Sequence, residues 1–346
     1  MGSHRILLPD LSRRNWRTMM KTLSIALGCL MAATVAQAQT PVLNVLTYDG
    51  FAAEWGPGPV LEVEFEAICG CDLRWVMAGD GAAMLARLRL EGAGSKADVV
   101  LGLDTSLTAA ARQTGLFAPH GLTLPNDLPV PFSDAEFVPF DWGWFAFVHN
   151  RSLPNPPKSF EELASSNLRI LIQDPRSSTP GLGLVMWVKA AYGPRAPDIW
   201  AALADNIVTV TPGWTESYGL FLQGEADMVL SYTTSPAYHL IAESDDSKTA
   251  ASFDEGHYLQ VEVAGVLAAT DQPDLARAFL TYLGSDAAQS VLPATNWMYP
   301  AMTPSSGLPP GFNTLIKPEK SLLMTADEAE AVRAEAIAEW QAALAQ

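Results

Sequence analysis

From residue 42 onward, short β-rich apolar runs alternate with helix-patterned segments, which restricts the chain to an α/β architecture with largely parallel strands. VLNVLTY (42–48) reads as a strand. PGPVLEVEFEAICG follows as a helix opened by Pro59 and stopped near Gly70, and DLRWVMA as a second strand. GAAMLARLRLEG carries Met84, Leu85 and Leu88 at helical spacing and leads to ADVVLGLD (97–104), a buried strand. LRILIQD (168–174) feeds the loop PRSSTPG and a helix running to about Tyr192, before Gly193. TPGWTESYGLFLQG predicts a short helix, ADMVLSY (226–232) a strand, and SPAYHLIAE a helix with Ser235 as cap and Pro236 in its first turn. HYLQVEVAGVLAAT is a further strand and PDLARAFLTYLG a further helix. The tail opens on a capping box, Thr325 to Glu328, and places Val332, Ile337, Trp340 and Leu344 on one docking face.

In open α/β sheets, ligands gather beyond the carboxyl ends of the strands. Here those ends are Tyr48-Asp49, Asp104, Asp174 to Thr179, and Ser231-Tyr232. They carry aromatic, acidic and hydroxyl groups that an apolar core would not require.

A chain of 346 residues has room for two domains and a sizeable core. Its 49% hydrophobic and 17% charged content is that of a globular protein. The formal charge is −17; residues 1–38 carry Arg5, Arg13, Arg14, Arg17 and Lys21 against Asp10, or +4, which leaves −21 for the remainder. Such acidity argues against general affinity for nucleic acid or anionic membrane, and suits a cationic small ligand. The basic residues precede TLSIALGCLMAATVA, too short to span a bilayer, which needs about 20 residues. Ala36-Gln37-Ala38 follows as a small-x-small cleavage signature. This reads as a signal peptide over 1–38, cut after Ala38. SRRNWR faintly suggests a twin-arginine route, and a start at Met19 or Met20 would leave a plain secretory signal, which is the preferred reading. No other segment is a candidate membrane span. Beyond the signal only Cys69 and Cys71 remain, and their spacing leaves open a tight disulfide or two thiols but makes no metal site.

Catalytic motifs are scarce. There is no GxSxG elbow, no HExxH and no GxxxxGK[ST] loop, and His149, His239 and His257 are scattered singly. The weight moves to binding. Ser177, Ser178 and Thr179 precede Pro180 at a helix start, where unpaired amides and the positive end of the helix dipole can hold a phosphate, although Thr179 can equally serve as a plain cap. Asp80-Gly81 opens another helix and offers amides of its own. Trp214 and Tyr218 are four apart and share a face, Tyr232 ends a strand, Tyr238 lies on the next helix, and Trp297 sits in the loop ATNWMYP. Together they suggest a platform for a flat heterocycle.

TYDGFAAEWGPGP, RLEGAGSKADVVLGLD, QDPRSSTPGLGL, GWTESYGLFLQGEADMVLSYTTSPAYH, EGHYLQVEV and NWMYP together resemble the periplasmic thiamine-binding proteins of bacterial ABC importers, over nearly all of residues 41–346. The resemblance implies a two-lobed periplasmic binding protein whose lobes, each a mixed, mostly parallel sheet flanked by helices, close on a ligand by hinge motion. Lobe one would be 41–140 plus 262–346 and lobe two 141–261, with crossings near 138–148 and 256–263. It implies a monomer without catalytic residues, metal or resident cofactor. Thiamine, its monophosphate or its diphosphate would be the transported ligand, and an ABC permease with its ATPase the partner. Tyr48, Trp214, Tyr232, Tyr238 and Trp297 would line the site, and Tyr218, on the same helix face as Trp214, is counted with them. Asp80, Gly81, Ser178 and Thr179, with Ser177 adjacent, would receive the phosphate. The resemblance does not say which acid balances the thiazolium; position at strand ends makes Asp49 and Asp104 the candidates. Two rival readings share the fold: a thiaminase-like enzyme with a cysteine nucleophile, and a ferric-ion-binding protein with paired tyrosines.

Overall fold

The alternation of strands and helices builds a single open mixed sheet with helices packed on it. The computed structural model describes Gly2 and residues 40–345, so the expected signal peptide and its cleavage after Ala38 lie outside the described residues. Eight strands form the main path: β1 (Val42–Thr47), β2 (Asp72–Met77), β3 (Val99–Asp104), β4 (Phe137–Asn150), β5 (Ile170–Gln173), β6 (Ile207–Thr211), β7 (Met228–Tyr232) and β8 (His257–Leu267). Their order is β2-β1-β3-β8-β4-β7-β5-β6. β1 pairs in parallel with β2 and β3, and β5 in parallel with β6 and β7. Between these trios run β8 and β4, antiparallel to each other and to their outer neighbours. β4 is long enough to serve both halves: its residues up to Trp144 pair with β8, and Phe145 to His149 pair with β7. The stretches 138–148 and 256–263 thus fall on β4 and on the start of β8.

The principal helices are α1 (Gly58–Cys69), α2 (Gly81–Glu91), α3 (Thr179–Tyr192), α4 (Trp214–Leu222), α5 (Pro236–Ala242), α6 (Pro273–Leu283), α7 (Asp286–Thr295) and α8 (Ala326–Leu344). Pro59 sits in the first turn of α1, and Gly70 ends the helix in the left-handed region at φ 62°. β6 is the strand that the sequence reading passes over. It is short and lies at the sheet edge with Val208 exposed, so its apolar residues carry little of the burial signal. Alternation along β1 sends Leu43 and Val45 to one face, with Phe65, Phe279 and Leu280, and Leu46 to the other, with Met84 and Val100. Each such side chain contributes about 1.5–3 kcal/mol when fully buried.

The tail docks as its pattern predicts. Thr325 Oγ1 accepts from the Glu328 amide at 3.3 Å while Glu328 Oε2 accepts from the Thr325 amide at 2.8 Å, and Ala336 and Trp340 are buried in the main core. Ser235 departs from its expected role. It has helical backbone angles and its side chain makes no cap bond to α5. Its hydroxyl turns back to β7 instead, 2.6 Å from Ser231 Oγ and accepting from the Tyr232 amide at 3.2 Å. Cys69 and Cys71 are joined in a disulfide, which settles the choice their spacing left open.

Candidate functional site

Three helices begin close together because the two parallel trios run antiparallel to each other and are displaced along β4. The carboxyl end of β2 thus comes from one direction and those of β5 and β6 from the other, and each hands its chain to a helix: α2, α3 and α4. Their N-termini meet. The Gly81 amide donates to Thr179 Oγ1 at 3.1 Å, Ser178 Oγ donates to Asp80 Oδ2 at 2.8 Å, and the Ala83 amide donates to the Ser177 carbonyl at 3.1 Å. Ser177 Oγ turns away and donates to the Pro212 carbonyl at 2.6 Å. Gly81 makes this approach possible, since a Cβ there would lie 2.6 Å from Thr179 Oγ1 and 2.9 Å from the Gly102 carbonyl oxygen. Thr179 is therefore not a plain cap: it is the first residue of α3, and its hydroxyl serves α2. Asp80 is half-buried with its carboxylate enclosed. Burial pushes its pKa up to about 6, against the opposing pull of the Ser178 hydroxyl and the Trp214 amide.

Beside this junction opens a cavity of about 580 Å³. Of the expected site residues, Tyr48, Asp80, Thr179, Trp214, Tyr218, Tyr232, Tyr238 and Trp297 lie on its wall, whereas Gly81, Ser177 and Ser178 do not. The Trp214 and Tyr218 rings stack at 4.9 Å, and Trp214 Nε1 donates to Ser231 Oγ at 2.7 Å. Tyr218 is itself buried. Its hydroxyl lies 2.9 Å from Nε2 of His239, whose Nδ1 is 2.6 Å from Glu243 Oε2. Asp245 brings a third potential metal ligand within 4.8 Å of these, but both His239 nitrogens already have partners. Tyr238 and Trp297 meet edge to face at 5.5 Å. Trp297 follows α7 with φ 57°, a left-handed conformation that costs a non-glycine residue about 1–2 kcal/mol. The chain retains that strain where it presents a large ring to the cavity, a placement common at functional sites.

The acids on the cavity wall are Asp80 and Glu262, and neither is one of the two expected from strand ends to balance a cation. Asp49 is exposed and accepts from the Gly79 amide at 3.0 Å, and Asp104 is buried off the cavity wall. Glu262, in the middle of β8, lines the cavity instead. Its Oε2 accepts from the Tyr48 hydroxyl at 3.0 Å and its Oε1 from Gln260 Nε2 at 2.8 Å. Gln260 Oε1 in turn accepts from the Tyr232 hydroxyl at 2.9 Å, and Asn296 Nδ2 donates to Asp141 Oδ2 at 2.6 Å. Burial, then the charges of Glu262 and Asp141, raise the Tyr48 pKa well above its ordinary value; burial and Glu262 do the same for Tyr232. Tyr48 fits because Gly102 of β3, at φ 107°, has no Cβ, which would lie 2.3 Å from the tyrosine ring.

A family model for bacterial extracellular solute-binding proteins matches residues 64–295. The chain belongs to that family. Among the relatives of this solute-binding protein, the thiamine-binding periplasmic protein of Escherichia coli (strain K12) is 52% identical over 92% of this chain and 98% of its own length. A solved structure of a periplasmic thiamin-binding protein superposes with a TM-score of 0.87 at 52% identity, over 89% of this chain and 98% of that one. Iron-bound HitA from Pseudomonas aeruginosa shares the fold with a TM-score of 0.70 at 18% identity, over 88% of this chain and 99% of its own.

Sequence reasoning missed Glu262, Asn296 and Trp55 of the solute-binding protein's cavity wall. Trp55 is 53% exposed, with its ring 6.5 Å from that of Trp214. A signal for Glu262 exists: Gln260 and Glu262 alternate with Val261 and Val263 in an otherwise apolar strand, so two polar groups face one side of a buried sheet.

Proposed function

We propose that this solute-binding protein captures thiamine and its phosphates in the cavity and delivers them to an ABC permease and its ATPase. The observation that carries this reading is the wall itself: Trp55, Trp214, Tyr218, Tyr238 and Trp297 share it with the carboxylate of Glu262. Stacking a heterocycle on such rings contributes about 1–3 kcal/mol each, and a fixed positive charge over a ring face adds about 0.5–2 kcal/mol. A flat molecule with one cationic ring uses both the rings and the acid. The names of the 52% identical relatives point to the same vitamin.

The same reading places the protein in the periplasm after loss of residues 1–38, as a monomer. No described helix is long and apolar enough to cross a membrane. Lobe one comprises 41–140 plus 262–346 and lobe two 141–261, hinged where β4 and β8 cross between the parallel trios. The phosphate of a phosphorylated ligand goes to the junction of Asp80, Gly81, Ser178 and Thr179, with Ser177 beside them, in exchange for bonds these residues make to one another.

Both rivals meet chemical obstacles. Cys69 and Cys71 are bonded to each other and stand at the far end of α1, off the cavity wall, so they supply no thiol nucleophile. The ferric reading calls for paired tyrosines, and here Tyr232 is followed by Thr233. Calorimetric titration with thiamine, its monophosphate and its diphosphate tests the proposal. Binding of all three is expected, and the vitamin should remain intact on incubation with an added nucleophile. Binding of none, or cleavage, overturns it.

A further inference from the structure

Glu262 does not stand alone. In register it pairs with Asp104 of β3 on one side and with Asp141 of β4 on the other, so three carboxylates form one row across the middle of the sheet. All three are buried, and only Glu262 reaches the cavity wall. Among the described residues, no lysine, arginine or histidine forms an ion pair with any of them. One cation faces the row, Arg333 of α8, which lies near Asp104 and is paired to Glu330 at 2.7 Å. The other titratable groups around it are Tyr48 at the end of β1, Tyr232 at the end of β7 and Tyr258 of β8, with Asp80 at the start of α2 beyond Tyr232 and Glu328 of α8 beyond Tyr258. Every one of these is an acid or a phenol. Asp141 Oδ1 is buried without a hydrogen-bond partner.

Buried carboxylates in adjacent register positions cannot all carry charge unless a cation accompanies them. We propose that the Asp104–Glu262–Asp141 row is the charge selector of the site: it retains a proton in the unliganded protein and releases it to solvent when a cationic ring seats against Glu262. Uptake is then an exchange of one cation for one proton, and a neutral ring of the same shape gains no such exchange. Glu262 is the residue that senses the ligand, and Asp104 and Asp141 act through it. In support, burial pushes the Asp104 pKa up to about 7 and raises those of Asp141 and Glu262, the latter with added repulsion from Asp141. The inference rests on the thiamine reading above, and its test separates the two.

The wild-type protein is titrated calorimetrically with thiamine, and with the uncharged analogue whose thiazolium nitrogen is replaced by carbon, in buffers of different ionisation enthalpy between about pH 6 and pH 8. The expected result is release of up to about one proton with thiamine and none with the analogue, and thiamine affinity rising with pH by up to about tenfold per unit. In Glu262→Gln, the preference for thiamine over the analogue should fall by about tenfold or more and the proton release should vanish. If that variant does not fold, the wild-type contrast between the two ligands decides alone. Heat independent of buffer, affinity flat with pH, or release surviving in Glu262→Gln (as it would if Asp80 supplied the proton) overturns the selector while leaving thiamine capture standing. Failure of the wild type to bind thiamine at any pH overturns both.

Discussion

The two ends of the cavity are built on opposite principles. At the polar end, where α2 and α3 begin, hydroxyls and amides are engaged with one another or with nearby backbone: Gly81 with Thr179, Ser178 with Asp80, Ser177 with Pro212. At the aromatic end, ring faces of Trp55, Trp214 and Trp297 are left to whatever enters. A ligand phosphate at the first end must replace bonds the protein already makes, so it gains only the difference between two sets, each bond being worth about 0.5–1.5 kcal/mol net. A heterocycle at the second end displaces only water. The aromatic end should therefore set how tightly the protein binds, and the polar end which member of a ligand series it prefers.

The sharpest way to break this comparison is Trp297→Ala. The ring is half-buried, and its neighbour in aromatic contact is Tyr238. Alanine keeps the Cβ, so the left-handed backbone is no more strained than before, and a half-buried ring at a cavity wall can be lost without opening the core. Affinity for thiamine should fall by about five- to 150-fold, equivalent to the ~1–3 kcal/mol of one stacked base. Calorimetry reads it directly. An unchanged affinity would remove the ring from the site and leave the aromatic end without its main support.

The aromatic end was also the more legible one in the sequence. Trp214 and Tyr218 are tied by helical spacing, and Trp297 and Tyr232 by their places at chain turns, where local patterning gives a large ring no core to fill. The framework was legible for the same reason: β1, β3, α1 and α8 are each announced by periodicity or by a cap. The acidic row was not. Asp104, Asp141 and Glu262 are far apart in the chain and become neighbours only through the register of β3, β8 and β4, which no local pattern encodes. Nor do letters say that Thr179 will spend its hydroxyl on α2 when it could have capped its own helix. That outcome depends on how closely Gly81 lets two helix ends approach.

The buried acids make a second prediction, on the unliganded fold. Asp80 and Asp104, raised to about 6 and about 7, bind protons more tightly folded than unfolded, and Asp141 and Glu262 are shifted in the same direction. An acid shifted upward contributes stability at low pH that is lost as pH rises through its folded pKa, by about 1.4 kcal/mol per pH unit for each group while it titrates. His257 is lowered to about 4 by burial, so it adds stability as pH rises, but only up to the ordinary histidine range. Above about pH 6.5 the acids act alone. The thermal midpoint of the free protein should fall from about pH 6.5 to pH 8, and saturating thiamine should flatten that fall. A midpoint that climbs over this interval would mean that the row is fully charged in the folded protein.

Smaller effects sharpen the polar end. In Ser178→Ala/Thr179→Ala, the loss of two hydroxyls should weaken the phosphorylated ligands several-fold more than thiamine, consistent with about 1 kcal/mol net for a replaced hydrogen bond. Equal losses for all three ligands would mean that the junction only holds α2 and α3 together. Ser177→Ala supplies the control. Its hydroxyl already donates to the Pro212 carbonyl, and its bond to α2 is made by its backbone oxygen, which the substitution keeps. Affinity for every ligand should therefore stay within about twofold of wild type, with at most ~1 kcal/mol lost from folding. Should Ser177→Ala instead lower affinity for the phosphates alone, its hydroxyl must leave Pro212 when a phosphate arrives. The polar end would then be rebuilt by its ligand, in contrast to an aromatic wall that stands ready beforehand.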